Sequence, residues 1–263
     1  MRTQIHKFSM AYDEEGKGLP VLWIHGFPLN RQMWQLQESG LKSAARILAP
    51  DLRGFGDSQP TGGTYSMDLL ADDCVAFLDA LNINRPVVVA GLSMGGYITM
   101  AFYRKFASRM AGMILAATRP GPDSPEGKTG RDQAAAMVQR GGVLEVVESM
   151  LPKLLAPATY QEHPELVAQL KELMKHNTVD GIVGALMGMK ERPDSTPILN
   201  KIDLPVLILH GENDQIIPPK EAEVMHSAIR GSKLEILPRA GHMLNMEQPG
   251  LFNQAVSRFL AAL

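Results

Sequence analysis

The stretch that most constrains this chain is Pro86-Val-Val-Val-Ala-Gly-Leu-Ser93-Met-Gly-Gly-Tyr-Ile. A β-branched run ends in Gly91-Leu92-Ser93-Met94-Gly95, and Ile98, Phe102 and Phe106 follow at helical spacing. This spells a strand, a very tight turn and a helix, with a serine at the apex. The G-x-S-x-G spacing has a steric reason. A strained strand-to-helix turn projects the serine hydroxyl away from the sheet, and glycines two residues on either side let backbone approach without Cβ clashes. The helix N-terminus just beyond it presents unpaired N–H groups and positive potential to a developing anion.

The same alternation runs on both sides of this turn. Residues 1 to 12 alternate apolar and polar, which predicts one edge strand ending at Asp13-Glu-Glu-Gly-Lys-Gly. Pro20-Val-Leu-Trp-Ile24, Arg46 to Pro50 and Met110 to Ala117 read as buried parallel strands. A helix over Ser66 to Leu81 separates two of them, with Ser66 as its N-cap. This β-α-β-α order implies a mostly parallel sheet wrapped by helices, an α/β protein. The alternation breaks at Arg119, where Pro120, Pro122 and Pro125 mix with glycines, and resumes at Pro205. Between these points the chain reads as helices only. One starts near Thr129 with Asp132 as a capping partner. A second carries Val143 to Met150, a third begins at Pro164, and the last carries Ile182 to Met187. Gly181, Gly184 and Gly188 mark a side of that last helix where another backbone can pack closely. The expected organisation is a core of residues 1–118 and 198–263 with a helical cap, 119–197, inserted between two strands. After it come a strand to His210, a helix from about Pro219, a strand from Lys233 to Leu237 and a closing helix from Pro249.

Composition removes several classes of function. A net charge of −2 with no run of like charge argues against nucleic-acid and membrane-surface partners. Cys74 is the single cysteine and lies on the apolar stripe of a helix, so a buried, inert thiol is expected. No apolar run approaches the roughly 20 residues that span a bilayer, and the N-terminus lacks a signal-peptide core, which points to a cytoplasmic protein. Neither a metal-ligand cluster nor a phosphate loop is present, so no cofactor and no metal are expected. Nothing in the sequence sets the oligomeric state.

In open parallel sheets functional groups collect at the carboxyl ends of strands. Four such loops carry suitable residues: His25-Gly-Phe-Pro, the Ser93 turn, the Asp214 loop and the His242 loop. His242 directly follows the last strand in a Gly-His turn, where imidazole can reach the serine hydroxyl as a base. His25 suits a structural hydrogen bond better, and His163 and His176 fall in the helical insertion. Asp214 is favoured over Glu212 as the acid, because Asp214-x-Ile-Ile-Pro turns the chain back into a helix; a turn-forming aspartate is the plainer alternative. An oxyanion would be held by the N–H groups of Met94, after the serine, and Phe27, in the loop after the first central strand. The Phe27 ring also offers an aromatic wall, with ordinary core packing as its alternative. Met137, Met150, Met174, Met187 and Met189 make the insertion methionine-rich, a soft apolar surface for acyl or alcohol groups unless they simply pack its helices. Phe27 and the first four of these methionines are the pocket candidates. With no conspicuous arginine cluster to clamp a dicarboxylate, a neutral, apolar ester is the expected small-molecule substrate.

His25-Gly-Phe-Pro, Asp51-Leu-Arg-Gly-Phe-Gly-Asp-Ser, Gly91-Leu-Ser-Met-Gly-Gly, Gly211-x-x-Asp214 and Gly241-His242 stand in the order and contexts of the α/β-hydrolase superfamily. The chain resembles that family over nearly its whole length, and looks most like small cytoplasmic carboxylesterases and 3-oxoadipate enol-lactonase-like hydrolases. The resemblance implies an α/β-hydrolase fold with an inserted helical cap and a Ser93-Asp214-His242 triad in the chain order of these enzymes, not that of chymotrypsin or subtilisin. It implies cleavage of carboxylic esters of short to medium acyl chains through an acyl-enzyme on Ser93. Lactonase, C–C bond hydrolase and perhydrolase activities share this machinery, and the fold also serves as a small-molecule receptor. Where a typical enol-lactonase has Asn-Ser-Leu-Gly, this chain has His-Gly-Phe-Pro, which weighs against the lactonase. Serine at the elbow separates it from dehalogenases and epoxide hydrolases, which resemble this fold but place aspartate there. Arg53 and Asp57 are expected to order a turn.

Overall fold

The computed structural model describes residues 1–263. From the N-terminus the chain forms β1 (Arg2–Ile5), β2 (Phe8–Gly16), β3 (Pro20–Ile24), α1 (Gln35–Leu41), β4 (Arg46–Pro50), α2 (Met67–Ala80), β5 (Val87–Leu92), α3 (Met94–Phe106) and β6 (Met110–Ala116). A helical insertion follows: α4 (Pro125–Gly141), α5 (Val143–Leu154), α6 (Thr159–Glu162), α7 (Pro164–Lys175) and α8 (Val179–Lys190). The alternation then resumes with β7 (Val206–Gly211), α9 (Lys220–Ala228), β8 (Lys233–Leu237), α10 (Leu244–Glu247) and α11 (Pro249–Leu260). The eight strands lie in the order β1-β2-β4-β3-β5-β6-β7-β8. β1 and β2 are antiparallel to their neighbours, and every pairing from β4 to β8 is parallel.

Every residue of β3 and β5 is buried, because helices cover both faces of the sheet. Their side chains divide by the period of two. Leu22, Ile24, Val87 and Val89 join the layer under α2 and α3 with Leu70, Phe77, Ile98 and Phe102. Val21, Trp23, Val88 and Ala90 join the opposite layer under α1 and α11 with Trp34, Leu41, Phe252 and Phe259. Cys74 is buried in the first layer, and burial pushes its thiol pKa upward, so it stays protonated and inert.

The expected single N-terminal strand is two strands. His6, at φ 49°, turns the chain between β1 and β2, which pair from Arg2 opposite Ala11 to Ile5 opposite Phe8. β2 then continues through the acidic residues that were expected to end it. Asp13 and Glu14 find arginine partners there, Arg31 Nε at 2.9 Å and Arg46 Nε at 2.8 Å, so the carboxylates do not stop the ladder.

In the insertion, α4 starts earlier than the sequence suggested. Ser124 Oγ accepts the Gly127 N–H at 3.1 Å and Pro125 takes the first helical position, a stronger start than one near Thr129. Asp132 accordingly does not cap this helix; it pairs with Lys190 of α8 at 2.8 Å. α7 begins at Pro164 as its sequence requires. The glycines of α8 do admit a backbone. A Cβ on Gly181 would lie 2.1 Å from the Gly54 carbonyl oxygen, and one on Gly188 would lie 1.7 Å from that of Tyr65. The helix therefore seats directly on the loop between β4 and α2. No helix is long and apolar enough to cross a membrane.

Candidate active site

Ser93 stands between the end of β5 and the first residue of α3, at φ 56° and ψ −112°. That backbone is strained for a residue with a Cβ, at a cost of about 1–3 kcal/mol, and persists because the surroundings over-determine it. Its N–H donates to the Ala116 carbonyl at 2.9 Å, while its own carbonyl accepts the Thr118 hydroxyl and the Gly96 N–H, both at 2.9 Å. The flanking glycines have no alternative. A Cβ at Gly91 would lie 2.1 Å from the Gly95 carbonyl oxygen, and one at Gly95 would lie 2.2 Å from that of Ile24.

His242 is buried after β8, and its Nδ1 lies 2.7 Å from Asp214 Oδ2. Asp214 accepts there, so the proton sits on Nδ1 and Nε2 is the ring atom left for the cavity. Asp214 follows β7. Its Oδ1 accepts the Ile216 and Ile217 N–H groups at 2.8 and 3.0 Å, the turn-forming role weighed from the sequence, while Oδ2 takes the imidazole. The two roles coexist on one carboxylate. Burial pushes this carboxyl up, but the His242 charge and the hydrogen bonds from His210, His242 and Ile217 outweigh it and hold the pKa below the usual carboxylate range.

Two supports of this arrangement had no signal in the sequence. His210, fully buried, has its Nε2 2.8 Å from the Ile217 carbonyl and 3.3 Å from Asp214 Oδ2, bracing both the turn and the acid. Glu247 accepts the Gly241 N–H at 2.7 Å, next to His242, and with its other oxygen the Ala156 N–H and Thr159 hydroxyl, both at 2.7 Å. One carboxylate thus ties the histidine loop to the helical insertion.

Met94 follows the serine in the chain, and Phe27 lines the same cavity. Met94 opens α3, where an N–H has no intrahelical acceptor, and the Phe27 N–H donates to no other residue. The Phe27 ring meets Phe55 edge-on at 6.4 Å. Beside it His25 is structural, as its sequence context suggested. Nδ1 lies 3.0 Å from the Gly26 carbonyl, and Nε2 accepts the Leu52 N–H at 3.1 Å. Burial lowers its pKa to about 4, so the ring is neutral. Arg53 and Asp57 order the neighbouring turn: Arg53 Nε pairs with buried Asp73 at 2.6 Å, and Asp57 meets Arg31 at 2.9 Å and His176 at 3.1 Å.

Ser93 and His242 open into one cavity of about 80 Å³, lined also by Phe27, Tyr97, Arg119, Arg131, Met150, Met189, Ile216 and Ile217. An outer chamber of about 320 Å³ shares Phe27, Arg119, Arg131, Met150 and Ile216 with it. Of the pocket candidates, Phe27 and Met150 line these chambers. Met137, Met174 and Met187 line neither: Met174 is fully buried among core side chains, and Met187 packs against the apolar layer under α3. Met189, two residues further along α8 and so on the other side of that helix, lines the cavity instead.

The structure also brings together arginines that spacing did not reveal. Arg119, Arg131 and Arg192 converge on Asp123, with Arg119 Nη2 and Arg192 Nη1 at 2.7 and 2.8 Å from Oδ1 and Arg131 Nε at 3.0 Å from Oδ2. Burial pushes the Asp123 carboxyl up, and Arg131 and Arg192 more than reverse that, leaving its pKa low. The one available signal was position, since Arg119 lies in the loop at the carboxyl end of β6. No group of three His, Cys, Asp or Glu side chains is arranged to hold a metal ion.

Comparison with known proteins agrees with this architecture. A model of the alpha/beta hydrolase fold matches residues 20–249. A solved structure of a thermophilic esterase from Thermogutta terrifontis, described as malate bound, superposes with a TM-score of 0.98 at 40% identity, over 100% of this chain and 98% of that one. The 3-oxoadipate enol-lactonase 2 of Acinetobacter baylyi is 29% identical over 240 residues, 90% of this chain and 86% of that protein. The 2-hydroxymuconate semialdehyde hydrolase of a Pseudomonas species is 27% identical over 277 residues, 99% and 91% of the two chains.

Proposed function

The chain belongs to the alpha/beta hydrolase fold family, and on that premise we propose that it is a cytoplasmic serine esterase acting on carboxylic esters of short to medium acyl chain. The observation that carries this reading is the shared cavity of Ser93 and His242, with Asp214 engaging Nδ1 so that Nε2 is the ring nitrogen left to act as base. His242 removes the Ser93 proton, and Oγ attacks the ester carbonyl. The Phe27 and Met94 N–H groups hold the oxyanion, each worth on the order of 3 kcal/mol in the transition state. The alcohol leaves with the proton from His242, which then activates water against the acyl-enzyme. Asp214 keeps the tautomer and stabilises the imidazolium. The insertion 119–197 acts as the cap over this site. The likeness to the Thermogutta terrifontis esterase favours ester cleavage over other reactions of the family.

The test is hydrolysis of p-nitrophenyl acetate, butyrate and octanoate by the wild type and by Ser93→Ala, with fluorophosphonate labelling read by mass spectrometry. Turnover lost in the variant, with the label on Ser93, is the expected result. Full turnover in Ser93→Ala would overturn the assignment. A label without ester turnover would favour lactone cleavage, the second reading, which the 29% identity to an enol-lactonase supports. Ligand-induced thermal stabilisation with neither label nor turnover would favour a receptor.

A further inference from the structure

The arginine cluster beside the nucleophile carries more charge than the fold needs. Asp123, whose side chain is 2% exposed, is already neutralised by Arg192, itself 2% exposed. Arg192 is otherwise committed to the protein: Nη1 donates to the Met189 carbonyl at 3.0 Å, Nη2 to that of Gly121 at 2.8 Å, and the guanidinium lies 4.1 Å from the centroid of the Tyr97 ring, with only the buried Nε–H lacking an acceptor. Arg119 and Arg131 are surplus to that pair. Three guanidiniums on one carboxylate leave two uncompensated positive charges, an arrangement that like-charge repulsion disfavours unless an anion completes it.

These two arginines are also the ones that face the cavities. Their side chains are 32% and 22% exposed, and both line the inner chamber with Ser93 and His242 as well as the outer one. Each spends one recorded hydrogen bond on Asp123 and keeps further N–H donors, and the Arg119 Nε–H is buried without an acceptor. Asp123 is the only acidic side chain among the residues lining either chamber. A carboxylate on the substrate is therefore attracted without an opposing charge, and guanidinium is the group best shaped to take it.

We propose that Arg119 and Arg131 form a carboxylate-binding wall, and that the preferred esters carry a free carboxylate at the far end of a short acyl chain. This rests on the esterase reading above and replaces its neutral, apolar substrate with a half-ester of a short dicarboxylic acid. The inner chamber of about 80 Å³ sets the length. At roughly 30 Å³ per water-sized group it takes about three such groups, the two methylenes and the carboxylate that lie beyond the ester carbonyl of a succinate half-ester. Hydrolysis adds water across the acyl–oxygen bond and releases alcohol and the dicarboxylate, which the same wall retains as a competitive product inhibitor.

The experiment compares monoethyl succinate with ethyl 4-methylpentanoate, in which an isopropyl group replaces the carboxylate, by ethanol release. A charge-assisted contact predicts kcat/KM about tenfold or more higher for the half-ester. Arg119→Gln and Arg131→Gln should each lower that ratio by about tenfold, chiefly through KM, and Arg131→Lys should restore part of it. Because the readout is a ratio, partial loss of folded enzyme does not imitate it. A wild-type ratio near or below one, or a ratio unchanged in both glutamine variants, would overturn the proposal while ester turnover and the Ser93 label leave the esterase reading standing. If neither ester is cleaved and Ser93 takes no label, the esterase reading falls and calorimetric titration of succinate into Ser93→Ala decides the site alone. Saturable binding weakened by adding Arg131→Gln sustains it, and no binding at about 10 mM succinate overturns it.

Discussion

Asp214 holds the imidazole with one oxygen and its own turn with the other. Its depressed pKa keeps it ionised throughout the neutral range, so an acidic limb in the rate profile belongs to another group. Asp214→Asn would put an amide N–H against donors on one side and lose control of the tautomer. We expect kcat on p-nitrophenyl butyrate to fall about a thousand- to ten-thousand-fold, with the thermal transition still cooperative. A loss below tenfold would show that the imidazole needs no such partner. Glu38 is the opposite kind of carboxyl. Burial first, then Asp13 and Glu15, outweigh Arg31 and raise its pKa to about 7. The native state therefore holds more protons on Glu38 than the unfolded chain does between pH ~4.3 and about 7, and stability falls as pH rises through that window. After discounting for its solvent exposure, Glu38→Gln should gain about 1 kcal/mol at pH 8, some 2 °C in Tm, and little at pH 4. Equal Tm values at pH 8 would mean that Arg31 already compensates the charge. At this scale the sequence marked residues in the loops at the carboxyl ends of strands, where Ser93, Asp214 and His242 lie. It could not mark Arg119 with Arg131 and Arg192, because their meeting point is Asp123, and only the folded insertion brings them there.

Among the elements, the periodic helices and the buried strands were legible, and two kinds of detail were not. The β1–β2 hairpin escaped because its turn falls at His6-Lys7, which lacks the glycine or asparagine that flags such a turn. The early start of α4 escaped because Gly127 and Gly130 read as loop, although a Cβ at Gly130 would meet nothing and the helix tolerates it. The α8 glycines were legible as a contact face, and what they touch is the loop ahead of α2. Gly188→Ala would force a Cβ into the Tyr65 carbonyl and should cost about 1–3 kcal/mol, read as a lower Tm. The joint between α10, the histidine loop and the insertion depends on Glu247. Its pKa is raised by burial against the pull of Thr159, Ala156 and Gly241, yet all its recorded partners donate hydrogen bonds to it. Glu247→Gln turns an amide donor toward one of those donors, for about 1–3 kcal/mol of stability. Because Gly241 precedes His242, kcat should fall more than KM changes; an unchanged kcat at a temperature where the variant is folded would limit Glu247 to a structural role.

On the scale of the molecule, the sheet and the insertion divide the work. Strand ends of the sheet place Ser93, Asp214, His242 and Phe27, and the family pattern is carried by these loops, which is why the fold and the candidate site residues were readable together. The insertion supplies Arg131, Met150 and Met189, whose arrangement follows from how α4, α5 and α8 pack rather than from any local motif. Acyl-length selection should therefore be separable from chemistry. Met150, half-buried on α5, lines both the inner and the outer chamber, as do Phe27 and Ile216, so these shared residues mark the neck between the two. With about 80 Å³ inside this neck, butyrate fits and octanoate must thread into the outer chamber of about 320 Å³. The wild type should cleave p-nitrophenyl butyrate at least about tenfold better than octanoate in kcat/KM. Met150→Ala removes the side chain that narrows the neck, worth about 1–3 kcal/mol of discrimination. It should raise the octanoate-to-butyrate ratio about tenfold, while the fluorophosphonate label still forms on Ser93. If the ratio stays fixed and the label is retained, the neck is not the selecting feature, and the limit on chain length lies with the sheet side of the cavity, at Phe27 and Ile216.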